Sequence, residues 1–586
     1  MSPRRPMPSF IPQNHESLHL VDVCDNRIST IQTKPIENPS FLLVGPYDPK
    51  GGEYTFLAPP LGVWRLAGVL EAAGFRVSVF DPNCCDGVTE EAFDKVLQGE
   101  SLDVVGFSIT GMTLPYDLAL AYRARKSLPH AVLVTGGVEA TFNPREVFKL
   151  GPFDLVVLGE GEGPLLEIGR RLWDGAGLQE IPGTARVAGD GSMRILPHRV
   201  MTREEMKEAT FLVPYERMPF RAYWKRLDER FRLDDISDLA ERETRLAEVR
   251  AVRLMTSNYC PMNCTFCSYT NFLAEAQCGG RAPLVRLNAE ETLEMLFKIT
   301  SHYPEVRTVI FQDDIFILKN DNRIFPLCEQ IISAKQQGRL PMELSFISSN
   351  RIDAMTPERL QIIKRAGFRI LGFGIENFSL KILKEFNKEK IYPYITPMLE
   401  EALRLGITPF IDLILTSPHC TLEDYAETIR KAYYWMEKGC EVGMYPYVIP
   451  FSGSVMSRDP DLVANIVRRH QKVAGSTVEW DQPAVIVPKD AAMLEALVLI
   501  ENNSKKWLDD LSELKLHLPS RLRSLLWVIC SIPVLEGAGY KMPALGEVVD
   551  IMLLRLTGLK PEEKENLRRK LMATARWAQW RAGDEK

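Results

Sequence analysis

Short apolar runs alternate with amphipathic segments along most of this chain, in two separate series, and that alternation restricts the fold more than any other feature. The first series reads FLLVGP, LGVWRLAGVLEAAG, FRVSVFD, DVVGFS, LPYDLALAYRARKSL, AVLVTGG and FDLVVLG, then GPLLEIGRRLWDG. Strands this apolar, each followed by a helix, make a parallel sheet covered on both faces. Gly74 closes the first helix and Gly136–Gly137 follows a strand, where the chain needs φ freedom. The expectation is a doubly wound α/β domain over 39–200, with VAGDGSMRILPHR as a polar tail. A second series starts at Val252, with strands VRLMTS, VRTVIFQD, ELSFISS, RILGFGIE, ITPFIDLIL and EVGMYPYVIP separated by helical patterns. Six such units suit a partial (β/α)6 barrel over 250–455. Charge-rich residues 201–249 predict a helical connector, and residues 1–38 an N-terminal extension. From 456 the strands are expected to cease, leaving a helical C-terminal domain over 456–586.

Composition excludes several function classes. A chain of 586 residues with 45% hydrophobic and 25% charged residues is ordinary globular material, long enough for about three to four domains. The balance of 71 Lys+Arg against 77 Asp+Glu leaves no basic excess to neutralise phosphates, so nucleic acid is not the expected partner. No stretch approaches 18 uninterrupted apolar residues and the N-terminus lacks a signal-peptide core, which predicts a cytoplasmic protein without a membrane span. The 11 cysteines are too few for a disulfide scaffold. Cys84–Cys85 reads as packing, whereas Cys260, Cys264 and Cys267 crowd into SNYCPMNCTFCSYTNF directly after the second series' first strand.

C-x3-C-x2-C on such a loop can hold three corners of a [4Fe–4S] cluster and leave the fourth iron open to a ligand. Structural zinc is the alternative, with Cys278 or His302 as fourth ligand, although zinc motifs more often come as two separated pairs. With the aromatic Phe266 before the third cysteine, this segment resembles the radical S-adenosylmethionine (SAM) superfamily, and the resemblance covers about 250–455. It implies that Cys260, Cys264 and Cys267 hold the cluster and that SAM chelates the open iron. It further implies SAM contacts from Phe266, from Asp313 and Asp314 in place of a Gly-Gly-Glu-like motif, and from Ser348 and Arg351 after strand three. Gly374 and Glu376 are similar to the family's ribose-binding Gly-x-Ile-Glu, and Pro450 in YVIPFSGS to its loop near adenine.

The first domain lacks a G-x-G-x-x-G after its first strand, so a dinucleotide is not expected there. It resembles instead the cobalamin-binding domain of B12-dependent radical SAM enzymes, which is Rossmann-like. The match rests on Pro59-Pro60-Leu61-Gly62, Ser108, Gly136-Gly137 and the run from Gly159 to Gly163. The resemblance implies that Ser108, Gly136, Gly137, Gly159, Glu160 and Gly161 line the corrin's nucleotide tail. No histidine follows the first strand, so base-off cobalamin without a histidine ligand is expected, with Trp64 or Arg65 facing the cobalt. Glu139 reads as a solvated or capping residue.

The resemblance as a whole implies a cobalamin-dependent C-methyltransferase. It would move a methyl group from SAM through methylcobalamin to a carbon of a small molecule, with a flavodoxin- or ferredoxin-like electron donor. Two alternatives stay open: a cyclase or ring-rearranging enzyme without net methylation, and a non-catalytic cobalamin or iron–sulfur sensor.

Overall fold

The computed structural model describes residues 35–575, apart from 53–54, 100, 232, 237–238, 278, 280–281, 474–478, 514–519 and 557–559. Most of the N-terminal extension, Cys24, Cys278, Trp577 and Trp580 lie outside the described residues. The first series folds as β1 (Ser40–Val44), β2 (Arg76–Phe80), β3 (Val104–Ser108), β4 (Val132–Gly136) and β5 (Leu155–Val157), all parallel, in the order β2-β1-β3-β4-β5. The polar tail adds two antiparallel strands to the far edge, β6 (Thr184–Val187) and β7 (Met193–Ile195). Period-two alternation sends Leu42, Val44, Val105 and Phe107 to one buried face and Phe41, Leu43 and Val104 to the other. The strand order reverses between β1 and β3, which opens a crevice at their carboxyl ends.

The second series forms β8 (Ala251–Leu254), β9 (Thr308–Phe311), β10 (Ser345–Asn350), β11 (Phe368–Glu376), β12 (Thr408–Ile414) and β13 (Glu441–Tyr445). These pair in parallel and in chain order, and the two outer strands do not meet, so the barrel stays open. Inward-facing residues alternate along each strand, as in T-P-F-I-D-L-I of β12, where every second residue is buried against the outer helices. Three helices lie between the two sheets in sequence (Arg203–Phe211, Phe220–Phe231 and Leu239–Val249). They brace both domains. Tyr223 donates to both Asp81 oxygens beyond β2 at 3.0 and 2.9 Å, while Trp224 Nε1 donates to Ala251 O of β8 at 3.0 Å.

Beyond 456 the structure corrects the expectation that strands cease. An antiparallel hairpin, β14 (Ile466–Lys472) and β15 (Glu479–Ile486), precedes the helices. Its sequence hides it because the ribbon is mostly exposed, Pro483 lies within a strand, and a register shift at Val467/Arg468 breaks the alternation. Its apolar residues Val473 and Trp480 pack into the first domain's core, far from their own neighbours in sequence. Three of the following helices, Ser520–Gly537, Leu545–Arg555 and Pro561–Ala575, stack beyond the barrel's open β13 edge and against helix Leu422–Lys438. Helix Ala491–Glu513 reaches the barrel rim, where Tyr447 donates to Glu501 at 2.9 Å.

Two outcomes follow from this packing. Trp480→Ala removes a buried indole and should destabilise the first domain by about 3 kcal/mol, read as an earlier urea transition of that domain. Burial pushes the Asp81 carboxyl up to about 6, above its ordinary 3.8. The folded state therefore binds the extra proton, and stability falls as pH rises from about 4 to about 6, by an order of 3 kcal/mol. Asp81→Asn should remove that decline, so the stability gap between variant and wild type should widen in the variant's favour from pH 4 to pH 7.

Candidate active site between the two domains

The loop after β8 carries Cys260, Cys264 and Cys267, all half-buried. Its backbone is tied down on several sides. Cys267 N donates to Cys264 O at 3.2 Å, Thr265 Oγ1 to Glu385 O at 2.8 Å, Asn387 Nδ2 to Asn263 O at 2.8 Å and Met456 N to Thr265 O at 3.0 Å. Phe266 meets the Phe386 ring edge-on at 5.1 Å, so it orders this loop from behind. Burial pushes the thiols up, Cys260 to about 12 and Cys267 to about 11, with Cys264 shifted the same way. A metal that binds here displaces those protons. Among the described residues no three His, Cys, Asp or Glu side chains converge as a single ion requires. The thiols nevertheless lie within reach of one another's charge. Three soft donors spread around one loop fit the corners of an iron–sulfur cluster.

The strands' carboxyl ends supply the rest of the barrel mouth. Asp313, expected at SAM, is buried and occupied within the protein: it accepts from Thr256 N at 3.1 Å, Thr256 Oγ1 at 3.0 Å and Ser257 Oγ. Asp314 next to it opens to the mouth, has no partner among the described residues, and lies near Cys260 and Cys267. The surrounding walls raise its carboxyl to about 7, with Asp313 adding to the effect. Ser348 is buried and receives Asn350 Nδ2 at 3.0 Å; the pleat of β10 turns Ser349, not Ser348, into the lumen. Arg351 is held by Asp353 at 2.9 and 3.2 Å, with its charge in reach of Cys264. Gly374 and Glu376 end β11, Pro450 is buried in the loop after β13, and Glu376 pairs with Lys388 at 2.8 Å. Asp412, in register between Gly374 and Gly443, adds a further carboxyl raised to about 7, chiefly by burial. The sequence reading missed Ser349, Asp412 and Lys388; a polar residue within an apolar strand is the signal that could have drawn attention to Asp412, and Lys388 left no such signal.

In the first domain Ser108 ends β3 in register with Gly136 of β4. Gly137 has φ +105°, and a Cβ there would lie 2.5 Å from Ile109 O, so only glycine lets these two loops meet. Glu139 is not the solvated residue expected from sequence. It is buried, accepts from Asn143 Nδ2 at 2.6 Å and from Ser452 Oγ of the barrel at 3.2 Å, and burial raises its carboxyl. Gly159 packs against Ala276, and Gly161 against Leu66. Glu160 turns toward the tail of the domain, where Oε2 accepts from Met201 N at 2.7 Å. Trp64 is buried beneath Arg217, and Arg65 pairs with Glu162 at 2.5 Å. Arg65 also lines a small open crevice with Gly62, Tyr215, Leu254 and Met255, where the first domain meets the end of β8. Trp64 Nε1, Glu160 Oε1 and Glu162 Oε2 are buried without partners among the described residues. The reversal of strand order, the close-packed glycine loops and the orphaned polar atoms fit a polar ligand at this edge.

Comparison with known proteins agrees with both halves of this site. Residues 50–169 match the B12 binding domain and residues 254–432 the radical SAM superfamily. The chain thus joins a B12 binding domain to a radical SAM domain, the combination of the cobalamin-dependent radical SAM enzymes, and resembles their methyltransferases. One relative is an uncharacterized methyltransferase of Pyrococcus horikoshii, 25% identical over 380 residues, or 64% of this chain and 73% of the relative. Another is the anaerobic magnesium-protoporphyrin IX monomethyl ester cyclase of Synechocystis sp., 23% identical over 340 residues, or 56% of this chain and 59% of the relative. The solved structure of the cobalamin-dependent SAM radical enzyme OxsB shares the fold, with a TM-score of 0.60 and 17% identity, covering 92% of this chain and 80% of that one. Among the described residues no helix is long and apolar enough to cross a membrane.

Cys264→Ala, with one of three thiolates gone, should lose most of its iron on anaerobic reconstitution while still binding cobalamin, as metal analysis and the corrin absorbance would show.

Proposed function

We propose that this enzyme transfers a methyl group from SAM, by way of cobalamin, to a carbon of a small molecule. The observation that carries the reading is that the two sheets present their carboxyl edges to the same space. Ser452, in the loop after β13, reaches Glu139 beside Gly136–Gly137, and Arg65 looks across a crevice at Leu254 and Met255. Cobalamin supplies a nucleophilic cobalt able to carry a methyl group, and the cluster supplies electrons to cleave SAM.

The chain's own residues prepare that space. Cys260, Cys264 and Cys267 would hold the cluster, and Asp314, unpartnered and beside them, offers a carboxylate to the SAM amine. Arg351 places positive charge near Cys264, where a carboxylate of SAM would sit. Ser108, Gly136 and Gly137 would receive the corrin's tail. Arg65, rather than the buried Trp64, faces the interdomain crevice, and its guanidinium, paired with Glu162, offers only N–H donors and no lone pair for cobalt. We read the cobalamin as base-off, without a histidine ligand, since none follows β1. A small-molecule substrate, a flavodoxin- or ferredoxin-like reductant and no nucleic acid complete the reading. The matched cyclase keeps a second reaction in view, rearrangement or cyclisation without net methylation.

The test is to incubate cobalamin-loaded, cluster-loaded enzyme with methyl-labelled SAM and a low-potential reductant. Label recovered on the corrin is the expected result. SAM consumed only to 5′-deoxyadenosine, with the corrin unlabelled, would overturn methyl transfer and favour the cyclase-like reaction.

A further inference from the structure

The end of β11 is irregular in two ways. Its pairing with β12 shifts register between Gly374 and Glu376, and Glu376 has φ +66°, a left-handed backbone that side chains rarely adopt. Such a conformation persists only where its surroundings hold it. Here the holder is Lys388. Its buried ammonium donates to Gly374 O and to Glu376 Oε1, the latter at 2.8 Å. A Cβ on Gly374 would come within 2.5 Å of Glu376 Oε1 and 3.1 Å of Lys388 Nζ, so the three groups are closely fitted.

The same turn reaches the cluster loop. Glu385 O and Phe386 O accept from Thr265, and Asn387, itself at φ +57°, donates to Asn263 O. One short segment, Glu385–Lys388, therefore grips the cysteine loop with one end and Glu376 with the other. Lys388 occupies only one carboxylate oxygen. Among the described residues no group donates to Glu376 Oε2, and the carboxylate lies within electrostatic reach of Cys264 and Cys267 on one side and Asp412 on the other. An ionised carboxylate only accepts, so a free oxygen at this spot suits a hydroxyl donor.

We propose that Lys388 is a positioning residue for SAM: it locks Glu376 in its strained conformation so that the free oxygen meets a ribose hydroxyl. The proposal rests on Glu376 being the ribose contact, as the family resemblance implies. It does not depend on where the methyl group goes, because SAM binds before any transfer.

The experiment uses cluster-loaded holoenzyme. SAM and its 2′- and 3′-deoxyribose analogues are titrated while the spectrum of the reduced cluster reports binding, and iron per chain is measured in parallel. Lys388→Met should weaken SAM roughly tenfold with iron unchanged, and should erase the wild type's preference for SAM over at least one analogue. Lys388→Gln keeps a donor without the charge and should fall between the two. Glu376→Gln should lose the same preference. SAM bound within about twofold of wild type, or SAM and both analogues weakened equally, would overturn the proposal. Loss of iron in both lysine variants would also overturn it and leave Lys388 as a brace of the cluster loop alone.

Discussion

The hydrogen bonds that Asn143 and Ser452 give to the buried Glu139 carboxylate hold the glycine loop of the first domain to the loop after the last strand of the barrel. A carboxylate so far from solvent is costly unless its oxygens are partnered, and the partners come from both domains. Separating the domains would strand it. Around this contact, Phe142 meets Phe272 at 6.2 Å, Gly453 lies against Phe142, and Gln482 of the hairpin donates to Gly111 O at 2.6 Å. The connector closes the other side through Tyr223, Trp224 and Tyr215. Two parallel sheets whose loops would otherwise move independently are thereby held with their carboxyl edges facing.

Within that frame each sheet does what its geometry allows. A doubly wound sheet binds at the point where its strand order reverses, and a barrel binds at the carboxyl ends of its strands. The cysteine loop, the bulge at Glu376 and the loop after β13 all leave the barrel on the same side. Their mutual anchoring, through Thr265 to Glu385 and Met456 and through Lys388 to Glu376, makes the cluster loop part of the strand framework.

Much of this was legible in the residues. The apolar runs of both series became β1–β5 and β8–β13 because buried parallel strands need continuous apolar sequence, and the cysteine triplet marked the loop that we propose holds the cluster. The hairpin β14–β15 was not legible, since its stabilising contacts are made by Trp480 and Val473 in another domain. Asp313 and Asp314 look interchangeable in sequence. Chain direction at the end of β9 turns one into the protein, where Thr256 and Ser257 take it up, and leaves the other facing the cysteines. Ser348 and Ser349 part in the same way across the pleat of β10.

The sequence by itself determined the two αβ series, the class of cofactor chemistry and the three cysteines. Local periodicity encodes the two series and close spacing the cysteine triplet, while the class of cofactor chemistry is what the resemblance of these segments to known families implies. Only the tertiary structure decided which of two neighbouring polar side chains reaches the mouth, that Glu139 joins the domains, and that Lys388 holds Glu376. Those outcomes depend on partners that lie up to 313 residues apart, as Glu139 and Ser452 do, and become neighbours only when both sheets are packed.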